Sequence, residues 1–206
     1  MAFVCTLDGN TRFEFMQDGP SAVVIVRVGC DHEEGANWFV HVGLDVMAGG
    51  DLEYFFRLWR VDAFSGRETA YNSGRETAHA IHGDDRTEVL KAALMATRLL
   101  LEHAQPDRVY RVTYDASPPD SALEKHHAIS DVFYSCGYRV FRYDEFHGQR
   151  MWWMERDTVA GVDQRGESCL DRAVDGGCDE PRDADTRDGR DGGTGSAASE
   201  PLAVES

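Results

Sequence analysis

No aromatic residue follows Trp153: all 21 lie at or before it in a chain of 206. Residues 158–206 instead run through Asp, Arg, Gly and Ala. A segment so poor in apolar surface cannot offset the entropy of being ordered, so a disordered acidic tail is expected there, attached to one folded domain over residues 1–157. Lysine is nearly missing as well: Lys91 and Lys125 stand against 19 arginines, a bias that reads as genome composition rather than chemistry. Acidic residues outnumber basic ones 25 to 16 up to Asp157 and 12 to 5 beyond it, so both parts are negative. With no basic run to oppose that field, charge-driven binding to nucleic acid or anionic lipid is excluded. The five cysteines are odd in number and lack Cys-x-x-Cys spacing, which excludes a disulfide framework. No apolar run approaches the ~20 residues of a membrane span, and the N-terminus has neither the positive nor the apolar region of an export signal. A soluble, cytoplasmic protein is expected.

What is present is an alternation of apolar and polar residues. Five strand-like runs, 3–7, 12–16, 22–29, 37–47 and 53–63, are separated by Gly, Asp and Asn clusters and read as an antiparallel meander. In the fourth, Trp38, Val40, Val42 and Leu44 alternate with Phe39, His41, Gly43 and Asp45. Apolar groups on both faces predict central strands with helices on one side and partial cover on the other. Asp85 and Glu88, spaced as a capping box, open a helix that ends near His103. A strand over 108–115 follows, and Ser117-Pro118-Pro119-Asp120 starts a second helix closed by Gly137. On that helix Leu123, His127, Ile129, Val132 and Phe133 lean to one side. Strands 138–146 and 149–156 close the domain as a hairpin around His147-Gly148. The fold class is therefore α+β, a mostly antiparallel sheet of about eight strands with two helices.

One stretch, 63–84, has no predicted element. It carries a tandem repeat: Ser65-Gly66-Arg67-Glu68-Thr69-Ala70, then Ser73-Gly74-Arg75-Glu76-Thr77-Ala78. The repeat reads either as a duplication that lengthens a hairpin or as a lobe for a partner.

The order of elements over residues 53–157, with Val132-Phe133-Tyr134-Ser135-Cys136-Gly137-Tyr138 at the end of the last helix, resembles the C-terminal half of the GNAT acetyltransferase superfamily. The resemblance covers about half of the chain. It implies an acyl-CoA-dependent N-acyltransferase with acetyl-CoA as cofactor and Tyr134 as the general acid, since Phe133 occupies the family's own position for it. The family's Gly-rich turn for the coenzyme diphosphate reads Gly83-Asp84-Asp85-Arg86-Thr87-Glu88 here, whose carboxylates compete with an anion for the helix N-terminus.

Two other readings rest on the residues alone. Adjacent aromatics on a strand face opposite ways, so Trp152 and Trp153 cannot share one core, and with Trp59 they mark an aromatic surface for a protein partner or a homodimer. This non-enzymatic interaction module, with no cofactor, is the favoured expectation. A metal-dependent hydrolase built on His79, His82 and His127 ranks below it, because no zinc-ligand spacing is present, and no metal is expected.

Overall fold

Val24, Val26 and Val28 are fully buried, while Val23 and Ile25 are half-buried and Arg27 is exposed. This period of two builds β3 (Ser21–Asp31), and β4 (Ala36–Val46) repeats it with Trp38, Val40, Val42 and Leu44 buried. The computed structural model describes residues 3–118, 120–146 and 148–157, all within the unit Met1–Asp163. The tail expected over 158–206 lies outside the described residues.

The remaining elements are β1 (Phe3–Cys5), β2 (Phe13–Asp18), β5 (Leu52–Asp62), β6 (Glu68–Tyr71), α1 (Gly74–Ala80), α2 (Gly83–Ala104), β7 (Arg108–Val112), α3 (Asp120–Ser135), β8 (Tyr138–Phe146) and β9 (Gln149–Arg156). All strands join one sheet in the order β1-β3-β4-β5-β7-β9-β8, with β2 also on β3 and β6 also on β5. The class is α+β with a mostly antiparallel sheet, as expected, but there are nine strands and three helices among the described residues rather than about eight and two. Both additions come from the repeat stretch. The expected meander also differs at its start: β1 pairs with residues 29–31 of β3 and β2 with residues 21–26, so the two lie along β3 instead of beside each other.

The helices lie on one face. Helix α2 lays Val89, Ala92, Ala93, Ala96 and Leu100 against β3 and β4, and its short alanines let the backbone come close to the sheet. It begins at Gly83 rather than at a box around Asp85, and His82 at its cap makes no side-chain hydrogen bond there. Asp84 and Asp85 sit in the first turn, where the dipole favours them. Helix α3 buries Leu123, His126, Ile129 and Phe133 and stops where Gly137 takes φ +83°, the left-handed turn that residue was expected to supply.

The pairing of β5 positions the site. Strand β4 occupies one edge of β5 along its whole length. On the other edge β7 pairs in parallel at Glu53↔Tyr110 alone, and β6 pairs from Leu58 to Val61. Residues 54–57 of that edge have no strand partner among the described residues, so the β5–β7 ladder ends at its one registered pair. Every other strand pairing described is antiparallel.

Candidate functional site

The divergence opens a cleft of about 810 Å³. Its walls come from residues 53–58 of β5, residues 111–115 at the end of β7, the start of α1, the first turns of α2, and α3 at Lys125 and His126. Segments drawn from β5, the α1–α2 region, the end of β7 and α3 thus converge where two parallel strands separate, and a mixed lining of aromatic and charged groups results.

Arg111 lies at the back. Its neighbours in phase, Val109 and Thr113, face the helices and are buried, and Arg111 follows them with only 4 % of its surface exposed. Its Cζ lies 5.4 Å from the ring centres of both Tyr54 and Trp152, a cation–π arrangement. Nη1 donates to the His126 carbonyl at 3.2 Å, and Nη2 donates to His126 Nδ1. The imidazole stacks on Trp152 with centroids 5.1 Å apart. For Nδ1 to accept, the ring must be neutral with its proton on Nε2. Burial, then the Arg111 and Lys125 charges, push the His126 pKa down to about 2 and so hold it in that form. Burial also lowers the Arg111 pKa to about 10, with Tyr54 acting in the opposite direction. Tyr54 itself is fixed by a 2.7 Å hydrogen bond between its hydroxyl and Thr97 on α2.

Two further cations stand near the mouth. A Cβ placed on Gly74 would lie 3.3 Å from Lys125 Nζ and 3.9 Å from Arg86 Nη2, so the missing side chain is what lets the two converge. Arg86 Nη2 donates to the Gly74 carbonyl at 3.3 Å. Lys125 has a lowered pKa through burial, Arg111 and Arg86, with Asp115 pulling the other way. Asp115 accepts the Ser73 hydroxyl at 2.8 Å. Among the described residues no carboxylate comes within ion-pair distance of Arg111, Lys125 or Arg86.

The residues singled out from the sequence fall in different places. Trp152 is 3 % exposed and forms part of the packing behind the cleft. Trp153, on the opposite face, is half-buried and meets Tyr110 edge-on at 4.3 Å. Trp59 shares that helix-free face and stacks on His41 at 4.9 Å. Tyr134 is 76 % exposed on α3 and is not among the residues lining the cleft. His79, His82 and His127 are all exposed, and no group of three or more His, Cys, Asp or Glu among the described residues could hold a metal ion. The expected inward lean of His127 belongs to His126, whose ring reaches Arg111 and Trp152. The acidic turn also presents differently from its sequence: Gly83, Arg86 and Thr87 line the cleft, Asp84 is exposed, and Glu88 pairs with Lys91 at 2.8 Å.

Arg111, Lys125, Ser73 and Asp115 were not selected from sequence. The one available signal was a charged residue in phase with Val109 and Thr113 on a strand bound for the core. No helix among the described residues is long and apolar enough to cross a membrane. No protein-family model, curated protein or solved structure matches the chain.

Proposed function

We propose that the cleft between β5 and β7 is a small-molecule site and that the domain is a divergent acyl-CoA-dependent N-acyltransferase of GNAT type. The observation that carries this reading is the divergence of the one parallel pair among the described residues, which leaves the β7-facing edge of residues 54–57 of β5 without a described strand partner along an opening of about 810 Å³. A free strand edge offers N–H and C=O groups in an extended row, which complements an extended chain with amides of its own; the acyl-carrying arm of coenzyme A is such a chain. The order of elements supports the reading, because α2, β7, α3 and the β8–β9 hairpin follow β5 as the resemblance implies. The first turn of α2 supports it too, turning Gly83 and Arg86 toward the cleft.

Acetyl-CoA is then expected to raise the melting temperature, with a stabilisation of about 2.7 kcal/mol at a concentration 100 times its Kd. An unchanged melting curve at millimolar acetyl-CoA removes the reading. Tyr134 is exposed and does not line the cleft, so Tyr134→Phe should leave turnover unchanged; activity lost with coenzyme binding intact would restore it as the general acid.

A second reading, the non-enzymatic interaction module, draws on the helix-free face. There Trp59 and Trp153 are half-buried, and Phe141 and Tyr143 are 42 % and 50 % exposed. A second copy of the chain is the proposed occupant, aromatic strand faces being well suited to self-complementary contacts. Sedimentation equilibrium should give a dimer that Trp153→Ala dissociates; a monomer at all concentrations refutes it.

A further inference from the structure

We infer that Arg111, Lys125 and Arg86 form an oxyanion-binding pole in the cleft, which takes the carboxylate or phosphate group of a small-molecule ligand. The inference rests on the cleft being a ligand site, and not on the ligand being an acyl donor.

A guanidinium taken out of water is costly unless an anion or a full set of acceptors replaces its hydration. Arg111 is 4 % exposed in a domain where acidic residues outnumber basic ones, so a carboxylate partner would be easy to supply. It has none among the described residues. Of its five N–H groups, two go to His126. The remaining three have no acceptor among the described residues. His126 cannot serve as a counter-ion, because the hydrogen bond it accepts requires a neutral ring. It acts as a clamp that sets the guanidinium plane, together with the Tyr54 and Trp152 rings.

Lys125 and Arg86 converge over Gly74, and no hydrogen bond of the Lys125 ammonium to a described residue accompanies that approach. Like charges gathered in a partly desolvated cleft repel one another, and a bound anion relieves all three. Three carboxylates also line the cleft, Glu53, Asp115 and Glu124. Asp115 is engaged by Ser73, and none of the three approaches a cation closely enough for an ion pair. A planar, clamped guanidinium with free donors suits a two-oxygen contact with carboxylate or phosphate, and the lysine adds a mobile point charge.

The test uses the full chain, titrated with sodium phosphate and, separately, sodium acetate, each against sodium chloride at equal ionic strength. Melting temperature and the fluorescence of the tryptophans, of which Trp152 packs on Arg111, are the readouts. A saturable rise in melting temperature with phosphate or acetate beyond chloride is expected, and which ion gives it identifies the group recognised. Lys125→Met should weaken that binding at least tenfold, and Arg111→Met should abolish it. If Arg111→Met fails to fold, the double variant Lys125→Met with Arg86→Met keeps the test, since both side chains lie toward the mouth. No response beyond chloride, or equal binding by wild type and Lys125→Met, overturns the site. Coenzyme A that does not bind while a small oxyanion binds in a Lys125-dependent way leaves this site standing and removes the acyl-donor reading. Coenzyme A binding with no Lys125-dependent oxyanion response does the reverse.

Discussion

Residues 65–70 and 73–78 are the same hexapeptide, Ser-Gly-Arg-Glu-Thr-Ala, yet the first runs from a turn into β6 and the second forms most of α1. In the first copy Glu68, Thr69 and Ala70 pair with Val61, Arg60 and Trp59 of β5. In the second, Glu76 turns its carboxylate back to the Ser73 N–H at 3.3 Å, and the Thr77 N–H reaches the Ser73 carbonyl at 3.2 Å. Identical residues carry identical propensities, so the difference comes from the surroundings.

The first copy is preceded by Asp62, whose Oδ1 accepts the N–H groups of Phe64 and Ser65 and the Ser65 hydroxyl, bending the chain back beside β5. A free strand edge then satisfies its backbone groups. The second copy arrives where that edge gives way to the cleft, and its groups must be satisfied internally. Ser73 is buried against Asp115, and Ala80 and Ile81 just downstream enter the core. Burying a side chain such as Ile81 contributes about 1.5–3 kcal/mol, whereas propensity differences amount to under ~1 kcal/mol per residue, so burial decides the second copy.

The largest effect is expected from removing what the second copy leads into. Ile81→Ala should cost about 2–5 kcal/mol in urea unfolding, with α1 losing amide protection first; an Ile81→Ala variant as stable as wild type would separate α1 from the core. Substituting the two glycines sharpens the contrast. Gly66 has φ +68°, so Gly66→Ala should destabilise by about 1–2 kcal/mol. Gly74 has no such backbone, and Gly74→Ala should leave stability within about 0.5 kcal/mol while weakening oxyanion binding, because the new methyl displaces Lys125. Equal effects of the two changes in a melting experiment would contradict this assignment. The two serines should differ less: Ser73→Ala is expected to cost about 1 kcal/mol and Ser65→Ala a few tenths.

The smallest effect is one of pH on the first copy. The backbone and hydroxyl of Ser65, ahead of the Phe64 N–H, hold the Asp62 carboxyl below its usual pKa. The ionised form is thus favoured by folding, and its contribution is present above the unfolded-state pKa and lost as pH falls through the lower folded-state value. Amide protection factors in the 62–67 turn, taken against the intrinsic rate at each pH, should fall over that acid window, and Asp62→Asn should remove this pH dependence. A turn indifferent to acid in the unsubstituted protein would assign the bend to Gly66 alone.

Much of the frame was legible in advance. Alternation over residues 22–28 and 37–47 reports the two sides of the sheet directly, and Gly137 marks the end of α3, because both signals act over a few neighbouring residues. The cleft was not legible, because its cations come from β7, α2 and α3 and no local pattern relates them. His126 and His127 illustrate the limit: neighbours on α3 point about 100° apart, and which of the two turns inward is fixed by the packing of α3 over Arg111 and Trp152.

The amino-acid sequence alone determined the strands that alternate, the face of each that turns inward, and the α+β class, since periodicity and turn residues express themselves within a window of a few residues. Tertiary structure alone decided that one copy of a hexapeptide pairs while the other coils, that the β5–β7 ladder ends after one registered pair, and that Arg111 is buried with no ion-pair carboxylate among the described residues. These outcomes depend on which backbone edges and charges distant segments bring together, and the free energy of those encounters exceeds any preference a short segment carries by itself.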